Sequence, residues 1–213
     1  LARDVTSITN AYKDVGFSAV QVSYRLEPVA DSRVRVVFQV VEGTRAGIAA
    51  INFTGNNNVT AWQLKSVMRT KETGWLSWLL RDDNYTQEQL DMDRELIRQY
   101  YANHGFPDAQ VTSAVAEYDS ARQGYFISIT VLEGNPIAFG AIGVETSIAG
   151  LDANRLTGSI RTREGTRFSA AELARSAQDM AVEATNLGYP FADVRPRVER
   201  DQAAGTFSVT YLV

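Results

Sequence analysis

Cysteine is absent from the chain, so it can hold neither a disulfide nor a thiolate metal site. That absence fits a reducing or an oxidising compartment and decides neither. Histidine occurs once, as His104 beside Gly105. A lone imidazole in the last turn of a helix reads as a dipole cap or a solvated side chain. Nucleophilic triads need a base near a serine, and nothing in the sequence places one there. Positive charge is not in excess: a net charge of -4 and a pI near 5.1 exclude an electrostatic nucleic-acid binder. No apolar run reaches the roughly 18 residues a bilayer-spanning helix needs, and the first residues show no charged-then-apolar leader. Glycine-rich phosphate loops are missing as well, and the Glu-Gly pairs read as turns. Asp91, Asp93 and Glu95 alternate along a helix, so they point in different directions and read as solvated surface. Asp82-Asp83-Asn84 lacks the Gly and the closing Glu of an EF-hand loop. No metal, cofactor or catalytic site is expected.

What is present is a phrase that occurs three times. It is an amphipathic helix, a Gly-aromatic pair, then two alternating strands. The pairs are Gly16-Phe17, Gly105-Phe106 and Gly188-Tyr189, roughly 80 to 90 residues apart, and a period of this length means tandem copies of one small fold. Aligning the glycines brings Leu1, Leu90 and Leu173 into line. It does the same for Ile8, Ile97 and Met180, and for Val22, Val111 and Val194. With 45% hydrophobic and 22% charged residues the copies are ordinary globular material, each able to bury a modest core.

In the first copy Val5, Ile8, Tyr12 and Val15 form one helical face that ends at Gly16. Strands are predicted near residues 20–27 and 33–41, joined by the turn Ala30-Asp31-Ser32. The second strand is expected to be half-buried, with Val34, Val36, Phe38 and Val40 facing one way. The second copy opens with a strand over 48–54 and a turn at Gly55-Asn56-Asn57-Asn58. Next comes a short helix over 61–68 with Thr60 as N-cap. Its long helix follows Thr86, with Gln89 at capping-box spacing and Leu90, Ile97 and Tyr101 facing inward. Strands over 109–118 and 124–132 then lead to Glu133-Gly134, as Glu42-Gly43 closes the first copy. The third copy predicts a strand over 137–145, a short helix after Asp152, and a helix boxed by Ser169 and Glu172. That helix faces inward with Leu173, Ala177, Met180, Ala184 and Leu187. Strands over 192–200 and 206–213 complete it. Each complete copy thus reads strand-helix-helix-strand-strand, an α+β unit with two helices on one face of a small sheet. The first copy lacks its opening strand and helix, and both ends fall inside a repeat, so the chain is expected to be a piece of a longer protein.

Two features carry functional expectations. The first is a candidate contact patch in the connector before the long helix of the second copy: Trp75, Trp78 and Leu79, with Leu76 and Leu80 beside them. It either extends the core or presents an apolar surface to a neighbour. The second is the sheet edge, where unpaired N–H and C=O groups can accept an extended peptide as an added strand. Arg25, Glu27, Arg195, Pro196, Arg197 and Arg200 look like edge-blunting residues. The stretch Ala109, Gln110, Val111, Thr112, Ser113, Ala114 and Val115 carries no charge and is the most permissive edge. A Pro or a charge at Val111 or Ser113 is expected to weaken peptide capture.

The ordered set of motifs resembles a known family. Ile51-Asn52-Phe53-Thr54-Gly55-Asn56 is similar to the I-x-F-x-G-N opening of POTRA domains. The short helix, long helix, Tyr-x-x-x-Gly-Phe and closing Glu-Gly complete that domain's plan. The resemblance covers essentially the whole chain and departs at Val144-Glu145-Thr146, where the opening Gly-Asn would stand. It implies three tandem pieces: 1–45 the C-terminal part of a POTRA domain, 46–135 a complete one, and 136–213 one nearly complete. The number of copies and the tryptophan-containing connector are most similar to the periplasmic arrays of outer-membrane protein assembly factors. The pieces would then be the end of a second POTRA domain and a third and fourth. The resemblance further implies three-stranded mixed sheets with the second strand of each unit outermost, and a periplasmic location. Its implied partners are unfolded outer-membrane β-barrel proteins as clients, assembly-machine lipoproteins, and a C-terminal membrane barrel of the same protein. A periplasmic arm of an autotransporter-assembly or two-partner-secretion transporter competes with this reading, as does a passive spacer.

Overall fold

The computed structural model describes residues 1–14, 16–17, 19–29, 33–43, 46–73 and 85–213. Val15, the turn Ala30-Asp31-Ser32, the patch with Trp75, Trp78 and Leu79, and Asp82-Asp83-Asn84 lie outside the described residues. The chain packs as two compact units. One holds Leu1–Leu96 with Val111–Val131, the other Ile97–Gln110 with Leu132–Val213.

The first unit starts with helix α1 (Ala2–Asp14), which has Asp4 in its first turn and Lys13 in its last, as the helix dipole favours. Strands β1 (Gln21–Val29) and β2 (Arg33–Val41) pair antiparallel, with Gln21 opposite Val41 and Val29 opposite Arg33. The expectation that β2 is half-buried through Val34 and Val36 is corrected here. Val34 is 58% exposed, Val36 is exposed as well, and Phe38 and Val40 are half-buried. The sheet has two strands, so the alternation that would bury one face has little to bury it against.

Strand β3 (Gly47–Thr54) leads into Gly55, where the chain turns with φ +85°. A Cβ there would lie 2.0 Å from the Val131 carbonyl oxygen, so the turn needs glycine for both conformation and space. Helix α2 (Ala61–Val67) is capped by Thr60, and the box is reciprocal. Thr60 Oγ1 accepts the Gln63 N–H at 3.3 Å, and Gln63 Oε1 accepts the Thr60 N–H at 2.9 Å. Helix α3 (Gln87–Asn103) follows Thr86, whose Oγ1 accepts the Gln89 N–H at 3.2 Å. Strands β4 (Gln110–Asp119) and β5 (Gly124–Leu132) complete a three-stranded sheet of order β3-β5-β4, with β3 and β5 parallel. Ile48, Ile51, Leu64, Leu90, Ile127 and Ile129 are buried.

Asp93 corrects the solvated reading of the helical acids. It is fully buried and accepts two backbone N–H groups, from Arg69 at 2.6 Å and Thr70 at 3.1 Å. It thus ties the segment after α2 to α3. Asp91 remains exposed, bonded along its own helix to Gln87.

In the second unit β6 (Ala138–Glu145), α4 (Ala170–Asn186), β7 (Arg195–Asp201) and β8 (Thr206–Leu212) give a sheet of order β6-β8-β7. β6 runs parallel to β8 and β7 antiparallel to it. The short helix expected after Asp152 is a 3₁₀ helix, Ala153–Ser159, capped by Asp152 on the Asn154 N–H at 2.9 Å. Seven residues including Gly158 are a weak start for an α-helix. Phe139, Leu156, Met180, Val209 and Tyr211 form the fully buried core, each worth roughly 1.5–3 kcal/mol of burial for an aliphatic or aromatic side chain. Leu173 and Leu187 pack against it half-buried. Ser169 Oγ accepts the Glu172 N–H at 3.3 Å. The turn at Val144-Glu145-Thr146 is built without the Gly-Asn pair: Thr146 Oγ1 accepts the Ile148 N–H at 3.1 Å, and Ser147 N–H donates to the Val213 carbonyl at 3.1 Å.

Candidate peptide-binding edge

An edge strand accepts an added strand only where its outward N–H and C=O groups lack partners. The two three-stranded sheets have β3 and β4, and β6 and β7, at their edges. The first strand of each is covered. Along β3, the Ile51 N–H donates to Glu72 Oε1 at 2.8 Å, and the Ile48 carbonyl accepts the Thr73 N–H at 2.7 Å. Lys65 Nζ holds the same Glu72 oxygen at 2.7 Å. Burial pushes the Glu72 carboxyl up. The hydrogen bond and charge of Lys65, with the Ile51 N–H, outweigh that and hold it below the usual carboxylate range. Along β6, the Phe139 N–H donates to the Thr166 carbonyl and the Phe139 carbonyl accepts the Gly165 N–H, each at 2.8 Å. Phe168 N–H donates to the Ile137 carbonyl at 3.0 Å.

Among the described residues no backbone segment lies along the outer side of β4 or β7. The two differ in chemistry. β7 is exposed throughout and laced with charge: Arg197 pairs with Glu199 at 3.3 Å and with Glu145 at 3.8 Å. On β4, Gln110, Thr112 and Val115 are exposed, while Val111, Ser113 and Ala114 are half-buried. Ala109 precedes the strand. It is buried, and its N–H is committed to the Phe106 carbonyl at 3.2 Å. One cation does reach β4: Arg94 on α3 donates from Nη2 to the Val111 carbonyl at 3.3 Å. The spacing of Arg94 and Val111 carries no periodic signal, so the sequence pattern does not reveal it. The strand ends at an Asx turn, in which Asp119 Oδ1 accepts the N–H groups of Ala121 at 2.9 Å and Arg122 at 3.1 Å.

The remaining candidates fall away from this edge. His104 is exposed, stacks on Tyr100 at 3.9 Å between ring centroids, and places Nδ1 2.6 Å from the Tyr100 carbonyl. Tyr101 is fully buried and donates its hydroxyl to Glu133 Oε1 at 2.9 Å, joining the long helix to the closing Glu-Gly. Burial, then the hydrogen bond and charge of Glu133, push the Tyr101 phenol far above its usual value. Among the described residues no group of three His, Cys, Asp or Glu side chains could hold a metal ion.

The POTRA family model, described as surface antigen variable number repeat, matches residues 46–134 and again 140–213. The chain is 26% identical over 209 residues to the outer membrane protein assembly factor BamA of Neorickettsia risticii, covering 98% of this chain and 28% of that protein. It is 24% identical over 218 residues to BamA of Nitratidesulfovibrio vulgaris, covering 100% of this chain and 27% of that protein. It therefore spans little more than a quarter of the length of these relatives. In fold it is similar to the crystal structure of Haemophilus influenzae BamA POTRA3-5, with a TM-score of 0.52 at 20% identity, over 100% of this chain and 79% of that one. Domains of this family are non-catalytic. Repeated β-α-α-β-β units, mixed three-stranded sheets and two matched domains agree: the chain belongs to the POTRA family, and along its whole length it is similar to the POTRA region of BamA proteins.

Proposed function

We propose that the chain is a periplasmic scaffold that captures unfolded outer-membrane β-barrel proteins by adding a client strand to β4, and that it docks accessory lipoproteins of the same machine. The pieces would be the end of a second POTRA domain over 1–45, a third over 46–135 and a fourth over 136–213, ahead of a membrane barrel. One observation carries the reading. The far edge of the same sheet is closed by Glu72 and Thr73, while on β4 the Arg94 guanidinium donates to the Val111 carbonyl. Backbone pairing suits a scaffold that must accept many clients, because it reads main chain rather than side chains. A client strand here would compete with Arg94 and meet no charged side chain between Gln110 and Ala116.

Hydrogen exchange of the chain with and without an unfolded barrel-protein peptide tests this. Protection gained selectively over residues 110–116 is the expected result. Unchanged exchange there at saturating peptide would leave a passive spacer as the better account.

A further inference from the structure

Matching Thr60 with Asp152, and Gly105 with Gly188, puts the short and long helices of the second and third repeats in register. Leu64 then coincides with Leu156, and both are fully buried. Asp93 coincides with Ser176, and each accepts the backbone N–H of the same arginine. Asp93 takes it from Arg69 at 2.6 Å, Ser176 from Arg161 at 2.9 Å. The inner side of the helices is therefore built alike in the two repeats.

The outer side is not. Where the third repeat has Asn154, Arg175 and Asp179, the second has Trp62, Met92 and Leu96. Trp62 is 77% exposed and Met92 44%. Leu96 is half-buried, one helical turn on from Met92 on the same side of α3. The arginine is kept, but its carboxylate is not. In the third repeat Arg161 Nε donates to Asp179 Oδ2 at 2.5 Å. In the second, Leu96 stands in that aspartate's place. Among the described residues the partner of the Arg69 guanidinium is the Met92 thioether, which lies 3.7 Å from Nη1. The nearby acid Asp91 is engaged by Arg94 at 3.8 Å. A thioether is a weak acceptor and satisfies little of a guanidinium. The second repeat thus shows water a tryptophan, a methionine and an arginine without its carboxylate, residue types enriched where protein interfaces hold their binding energy.

We propose that the outer helical face of the second repeat, with Trp62, Arg69, Met92 and Leu96, docks one constant protein partner that supplies a carboxylate set among apolar side chains. That carboxylate takes the place at Arg69 which Asp179 holds at Arg161, and its apolar flanks cover Met92 and Trp62. Recognition here runs through side chains, so it selects a fixed partner, whereas main-chain pairing at β4 suits changing clients. The inference rests on the docking half of the proposed function. It shares no residue with β4, so either site can fail without the other.

The test uses the full-length protein in its membrane, with an apolar benzophenone photo-crosslinker at position 92 and, as control, at the counterpart position 175. The expected result is one protein adduct from 92 and none from 175, attached beside an Asp or Glu that apolar residues flank, as mapped by mass spectrometry. Arg69→Gln and Trp62→Asn are each expected to lower the yield about tenfold, with Arg69→Lys keeping part of it. Both side chains are exposed, and neither change removes the Arg69 N–H that Asp93 holds, so the fold is preserved. Leu96→Asp rebuilds the pair of the third repeat within the second and is expected to displace the partner to the same degree. Adducts to residues 74–84 of the same chain, to a second copy, to lipid or to a ladder of different clients overturn the proposal. So does the absence of any adduct, or a yield that Arg69→Gln leaves unchanged.

Discussion

Asn103, the last residue of one repeat's long helix, accepts the backbone N–H of Ala171 in the first turn of the next repeat's long helix at 2.8 Å. Ser169 Oγ takes the Glu172 N–H of the same turn, so two of the free donors at the start of α4 are satisfied from different repeats. Asn103→Ala is expected to cost about 1 kcal/mol, the usual worth of such a cap. Exchange at Ala171 should rise while that at Glu172 holds. A uniform rise over the whole helix would mean that Asn103 acts by some other route.

Asp93 supports the segment after α2 from beneath. Asp93→Ala strands the N–H groups of Arg69 and Thr70 and is expected to destabilise the fold by about 3 kcal/mol. Asp93→Asn keeps an acceptor oxygen and should lose roughly half as much. Urea unfolding of the two variants checks the order. Equal losses would point to the charge rather than to the acceptor count.

How much of this was legible follows from where each signal lies. Gly124–Leu132 and Arg33–Val41 run as their alternation and flanking turns predict, because strand period and turn residues are local. Thr60 and Ser169 cap as their spacing predicts, for the same reason. Asp93 was not legible: an acid at an alternating position on a helix resembles its exposed neighbour Asp91, and its partners at 69 and 70 are remote in sequence. The burial of β2 was over-read, since alternation states which residues could face a core without saying whether a core is there. For the candidate site, the charge-free stretch was visible directly. That Glu72 and Thr73 close the competing edge depends on how the segment after α2 folds back on β3, which no period encodes. The bond from Asn103 to the Ala171 N–H joins residues 68 positions apart, and no local period encodes it.

Tyr101 and Glu133 form a buried pair, and the phenol stays protonated well above its ordinary value. In the unfolded chain it ionises near pH 10. A group whose folded value is raised stabilises fully below its unfolded value and loses that contribution as pH rises toward the folded one. Stability should therefore fall above about pH 10. Tyr101→Phe is expected to cost about 2 kcal/mol at pH 7 and to flatten that alkaline decline. Denaturation curves at pH 7, 9 and 11 read both effects, and an unaltered alkaline slope would assign the decline to other tyrosines.

Val115 points outward from β4 and is 48% exposed, so a substitution there should leave folding nearly unchanged. A lysine on an edge strand blunts it against added strands. Val115→Lys is expected to weaken binding of an unfolded barrel-protein peptide about tenfold, or 1.4 kcal/mol, and the same change at the exposed Val198 of β7 should have little effect. Titration by fluorescence anisotropy compares the two. Equal loss from both sites would argue for non-specific charge effects or for a second binding edge.

Glu72 links the acid response of the fold to the choice of edge. Its folded carboxyl value lies below the usual range, held there by Lys65 and the Ile51 N–H against the cost of burial. A depressed group stabilises fully above its unfolded value, near 4.3, and that contribution is lost as pH falls through the folded value. Glu72→Gln should therefore reduce stability at pH 7 and converge with the parent protein at the acid end. The side chain is partly exposed, so solvent screening keeps the effect small. Its sharper consequence is local. Without the carboxylate the Ile51 N–H loses its charged acceptor, and exchange at Ile51 should rise while β5 stays protected. If peptide capture by this variant then spreads from β4 to β3, closure of the first edge is what confines clients to the second. If Ile51 opens and capture stays on β4, the preference is intrinsic to the uncharged strand.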